Sequence, residues 1–262
     1  TEAIGLYMVN KVAAKSLDLT VTATGGTVKG ATDGAANQGT FETLAYGIQA
    51  EPTNAGLPTT LTVPGAVNLQ VTATAGTAAE GAAVKNNSAM ARGISLGDEK
   101  ATGTTTATLG SVTGTVAVNG VAASGEGSYS AVGISAFNDA HLTTGDVDLT
   151  VTGTSTVGND QDAHLSAGGL LAFENSDIQV NGNATIKTAV NPVAGTEGYG
   201  NFEAVALDAF MATINVGTDG EGNSLGKTVQ VEGDVAAVAD GTVNLTLDNS
   251  ASYLQGNVIT KS

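Results

Sequence analysis

The sequence has no cysteine, no tryptophan, one arginine (Arg92), two histidines (His141 and His164) and four prolines in 262 residues. Without cysteine there are no disulfide staples, thiolate metal sites or cysteine nucleophiles. Aromatic residues make up 4% of the chain, which excludes a core built on large rings. Basic residues are also scarce: Asp and Glu outnumber Lys and Arg by 25 to 9, for a formal net charge of −16. A surface of that sign repels nucleic acid and anionic lipid, so neither is expected as a partner. No apolar run reaches the length of a membrane-spanning helix, and no direct membrane insertion is expected. Residues 1 to 30 lack the basic and apolar parts of a signal peptide, and the chain opens in mid-pattern at Thr1-Glu2-Ala3-Ile4-Gly5-Leu6, which reads as an excised fragment.

What is present is 36 Gly and abundant Thr, Ala and Val, with charged residues at only 13%. Thr and Val suit strands, and Gly, Asn and Asp suit turns, so an all-β chain of many short strands is expected. A hydrophobic fraction of 41% is sufficient for a core.

A repeat organises the chain. Tyr46-Gly47-Ile48-Gln49-Ala50, Arg92-Gly93-Ile94-Ser95-Leu96, Val132-Gly133-Ile134-Ser135-Ala136-Phe137 and Gly168-Gly169-Leu170-Leu171-Ala172-Phe173 share one signature. Val205-Ala206-Leu207-Asp208-Ala209-Phe210 repeats it with Ala for Gly, Ile4-Gly5-Leu6 reads as the first copy, and Val235-Ala236-Ala237 as a weak last one. The anchors at 5, 47, 93, 133, 169, 206 and 236 are 30 to 46 residues apart, the loose period of a solenoid with loop insertions. Each anchor is followed by two alternating segments, such as His141-Leu142-Thr143-Thr144-Gly145 and Asp146-Val147-Asp148-Leu149-Thr150-Val151-Thr152-Gly153. Because the order never changes, like strands can stack on like strands and complete one another's backbone ladders. The expected fold is a parallel β-helix, three short strands per coil with loop insertions on one edge, as a single domain over 1–262; two coils per repeat is the open alternative.

Stacking predicts ladders of identical residues. Ile48, Ile94, Ile134, Leu170 and Leu207 form one, and Phe137, Phe173 and Phe210 another. Both are expected inside the column; an apolar ligand groove is the alternative for the rings if they face outward.

The least similar segments are 25–43, 75–89, 120–130, 153–166 and 189–203, expected as loops on one edge. They carry Asp33, Glu42, Glu80, Glu126, Asp160, Asp162, Glu197 and Glu203, which define an acidic edge as the candidate ligand-binding surface. Catalytic patterns are weak. No Ser or Thr sits in a nucleophile elbow, and neither the EF-hand nor the nonapeptide calcium pattern occurs, so no cofactor and no metal is expected. A glycan-processing enzyme with clustered carboxylates such as Asp146, Asp148, Asp160 and Asp162 stays open as an alternative, as does a purely structural stalk.

The Gly-Ile-x-Ala pattern with its Val/Leu-Thr-Val-Thr strands, and the C-terminal stretch Val243–Ile259, resemble the passenger domain of a type V autotransporter, a pectate-lyase-like right-handed β-helix. The resemblance implies a fragment of a larger passenger, exported through the outer membrane to the bacterial cell surface or secreted. It also implies a non-enzymatic adhesin acting in host or matrix adhesion, or in cell–cell self-association and biofilm formation. Its partner would then be a host surface protein or glycan, or another copy of itself on a neighbouring cell.

Overall fold

The computed structural model describes residues 1–28, 39–52, 56–78, 84–98, 103–120, 126–155, 163–192 and 201–261. All regular structure in them is β, with no helix. The chain runs through β1 (Glu2–Met8), β2 (Lys11–Ala13), β3 (Leu17–Thr24), β4 (Thr27–Val28), β5 (Gly39–Ala50), β6 (Thr59–Thr74) and β7 (Thr77–Ala78). It continues through β8 (Val84–Leu96), β9 (Thr105–Gly120), β10 (Glu126–Ala136), β11 (Ala140–Ser155), β12 (Ala163–Phe173), β13 (Asp177–Val180) and β14 (Ala184–Asn191). The last seven are β15 (Asn201–Phe210), β16 (Thr213–Val216), β17 (Val229–Glu232), β18 (Asp234–Val238), β19 (Thr242–Leu245), β20 (Tyr253–Gln255) and β21 (Val258–Lys261).

Two long parallel sheets share these strands. Sheet A takes β1, β5, β8, β10, β12, β15, β18 and β21, bonded side by side in chain order. Sheet B takes the strands between them, from β2, β3 and β6 through β9 and β11 to the pairs β13 and β14, β16 and β17, β19 and β20. The pair β4 and β7 makes a small third sheet. The chain therefore returns to sheet A once per repeat and lays each strand beside the previous one, an order consistent with a parallel β-helix or solenoid. One repeat adds one strand to sheet A, against the reading of two coils per repeat. The eighth strand, β21, lies in the C-terminal stretch that carries no anchor signature.

The core lies between the inner faces of the two sheets. Ile48, Ile94, Ile134, Leu170 and Leu207 align rung by rung and are fully buried, as the repeat predicts. Across from them, Val71, Val116 and Val151 stack in sheet B, also fully buried. Each such side chain contributes about 1.5–3 kcal/mol when removed from water.

The anchor glycines have a packing reason. A Cβ at Gly47, Gly93, Gly133 or Gly169 would fall 2.3–2.7 Å from the carbonyl oxygen of the next anchor, and one at Gly93 would also meet Val116 at 3.0 Å. Ala206 breaks the series, and there the β15–β18 register shifts, between Val205 and Leu207. The shift also corrects the last anchor: Leu207 pairs with Val235, so Ala236 stands opposite Asp208 and not opposite Ala206.

Strands extend further into the variable segments than the sequence suggests. β5, β8, β10 and β12 begin at Gly39, Val84, Glu126 and Ala163, inside stretches expected to be loops.

Candidate functional site

Sheet A is uneven on its outer face. In β10 and just beyond it, Ile134 and Ala136 point into the core, which leaves Ser135 and Phe137 on the other side of the strand. The same count places Leu171 and Phe173 outside on β12, and Asp208 and Phe210 outside on β15. The three phenylalanines are half-buried and stand outside the core cluster. This corrects the expectation that they pack inside the column, and the physical reason is strand alternation counted from the buried Ile134.

The rings line a trough of about 440 Å³, walled by Val132, Leu171, Phe137, Phe173 and Phe210, with Ser130, Ser135, Arg92 and Glu174 completing it. Phe137 and Phe173 are stacked, centroids 4.9 Å apart and planes within 7°. Phe210 is in register with Phe173, but the stack itself is the first pair. Their faces are turned along the column, so their edges look outward. Below Phe137, the next position in register is Gly97, which has a left-handed φ of 77° and no side chain to cover the ring. The Arg92 guanidinium takes that space, 5.2 Å from the Phe137 centroid, a cation–π arrangement.

Arg92 has no carboxylate partner among the described ion pairs, which join His141 to Asp177 and Lys187 to Glu232. Its Nη1 donates to the Ser95 hydroxyl at 3.4 Å, and its Nε is buried without a hydrogen-bond partner. Three rungs further along, Asp208 has a buried, unpartnered Oδ1. Burial first, and the nearby Glu203 charge second, push the Asp208 carboxyl above the ordinary carboxylate range. Burial also raises the Tyr46 phenol, against the lowering effect of Arg92. The Ser166 hydroxyl donates to Ser130, on the trough wall, at 3.0 Å.

Sheet B presents a different surface. A shallow depression of about 480 Å³ is lined by Asp18, Thr20, Asn68, Gln70, Thr113, Thr115, Asp148 and Thr150 around Gly114. Gly114 interrupts the inward row Leu19, Leu69, Leu149 and Ile186. The polar rows above it are mixed: Thr20, Gln70, Thr115, Thr150 and Lys187 stand in one register.

The acidic edge is only partly placed. Asp33, Glu80, Asp160, Asp162 and Glu197 lie outside the described residues, and of Glu126 only the backbone, opening β10, is described. Glu42 and Glu203 are exposed residues within β5 and β15, not on loops. They stand in rows two residues apart and four strands apart, roughly 19 Å along the sheet. The structure does not bring these two together. Among the described residues no three of His, Asp and Glu form a metal-binding group. The residues missed by the sequence reading are Arg92, Leu171 and Asp208; period-two counting from the buried Leu170 and Leu207 places Leu171 and Asp208 outside, whereas Arg92, two positions before the buried Ile94, is sent inward by the same count.

Comparison of the chain with protein-family models, curated proteins and solved structures returned no match.

Proposed function

We propose that the chain is a non-enzymatic surface adhesin whose contact face is the outer side of sheet A. In this reading the two sheets are walls of a right-handed parallel β-helix with three segments per turn, the hand favoured when a strand returns to its own sheet in parallel. The fragment belongs to a larger exported passenger of the autotransporter type, displayed at the bacterial cell surface or secreted. Its partner is a host surface protein or glycan, or a second copy on a neighbouring cell.

The observation that carries the reading is the apolar trough of Phe137, Leu171, Phe173 and Phe210 on a strand face turned away from the core. Half-buried rings on an outer sheet face are not the ordinary strand-surface choice, and Thr, as on sheet B, is. Many copies on one surface would multiply modest single contacts into firm attachment. The test is adhesion of beads coated with the purified chain to cells and matrix. Attachment above that of albumin-coated beads is expected. Beads that fail to attach to cells, matrix and one another would refute the adhesin.

A further inference from the structure

The trough combines three features that point to one ligand chemistry. Its walls are apolar side chains, and at the Arg92 end the ring edges, not the ring faces, are available, because Phe137 and Phe173 cover each other and Arg92 covers the open face of Phe137. At that end a planar aromatic ligand therefore has no ring to stack on, whereas an alkyl chain can lie along the edges. At one end sits the only arginine of a chain with net charge −16, with no carboxylate partner among the described ion pairs and its Nε unpartnered. The Nε is closed to solvent, so an anion entering from the trough is held by the two terminal nitrogens of the guanidinium. Glu174 on the rim, with Asp208 and Glu203 beyond the far side, disfavours a second negative charge on the ligand. From Arg92 to Phe210 the trough crosses three rungs, roughly 14 Å.

We propose that this trough binds a medium-chain alkyl carboxylate, its anion on Arg92 and its chain along the edges of Phe137 and Phe173 toward Phe210. Ser130 lines the trough beside the apolar walls, and its hydroxyl, which accepts from Ser166, keeps its own proton to donate near the head group; the buried Ser135 hydroxyl already donates to the Ile94 carbonyl at 3.4 Å. Leu171 and Val132 close around the first part of the chain. The assignment rests on the reading of the outer face of sheet A as a contact surface, and it names the chemistry that surface selects.

The test is calorimetric titration of the purified chain with decanoate below its micelle concentration, beside methyl decanoate and a peptide ending in Phe. Decanoate binding one to one, with the ester at least tenfold weaker, is the expected result. Arg92→Gln should weaken decanoate at least tenfold and leave the ester unchanged, and Arg92→Lys should recover part of the loss. Equal binding of acid and ester, no binding of decanoate, or binding of the peptide alone would overturn the proposal. The acid–ester comparison needs only the unaltered chain, so it decides even where a variant does not fold. Bead adhesion measured on the same preparation separates the two readings. Adhesion without decanoate binding sinks the ligand assignment alone, and decanoate binding without adhesion sinks the adhesin alone.

Discussion

The two sheets bury the same kind of side chain and expose different ones. Inside, Ile134 on sheet A, aligned with Ile94 and Leu170, and Leu149 on sheet B, aligned with Ile186, are both fully buried. Outside, sheet B shows Thr, Gln, Asn and Asp, while sheet A shows rings, Leu171 and a lone guanidinium. Stacking constrains the inner faces equally, because every rung must fill the same column. It leaves the outer faces free, so a departure there from the usual polar strand surface needs a reason other than folding.

If the inner faces are equivalent, truncation should hurt them alike. Ile134→Ala and Leu149→Ala should each cost about 2–5 kcal/mol of stability, read by thermal or denaturant melting. A loss confined to one sheet would break the comparison at its base. Gly93→Ala should cost about 1–3 kcal/mol, since its methyl would lie 2.4 Å from the Gly133 carbonyl oxygen, whereas Ala206→Gly should be far milder because the register there already accommodates a methyl.

A smaller effect is expected at Asp208. Its raised pKa means that the folded state holds the proton more tightly than the unfolded chain does. Stability from this group therefore falls as pH rises from the ordinary carboxylate range through the raised value. Asp208→Asn should melt higher than the unaltered chain at neutral pH, and the difference should vanish below the ordinary carboxylate range. On sheet B, Lys187 donates to Glu232 at 2.8 Å and Tyr253 donates to the same carboxylate at 2.7 Å. These hydrogen bonds lower the Glu232 pKa, but the groups are partly exposed to solvent. Lys187→Met should leave the melting temperature unchanged within error.

Much of the architecture was legible in the sequence because stacking repeats itself in it. The anchors at Gly47, Gly93, Gly133 and Gly169 share one register, and the Ile and Leu residues after them form the buried ladder. The last anchor was misread at Ala236 because a register shift does not show in a pattern of small residues. The Phe series was visible but assigned to the wrong side. A ring weighs heavily in any estimate of burial, while the alternation Ile134 in, Ser135 out, Ala136 in, Phe137 out already placed it outside. The pairing of Arg92 with Phe137 was not legible, since it joins side chains 45 positions apart through the gap left at Gly97. The acidic edge drew on segments chosen for their variability, and strands claim part of those segments, including Glu42 and Glu203.

The central claim is that contact is made by the outer face of sheet A and not by that of sheet B. Leu171→Glu and Thr150→Glu change the net charge equally and place the new carboxylate on opposite faces. Adhesion of beads coated with each folded variant, compared with the unaltered chain, is the direct measurement. Leu171→Glu should reduce attachment roughly tenfold, because loss at each contact is multiplied over many copies, with Thr150→Glu close to the unaltered chain. Equal attachment of both variants, or a loss on Thr150→Glu alone, would contradict the claim.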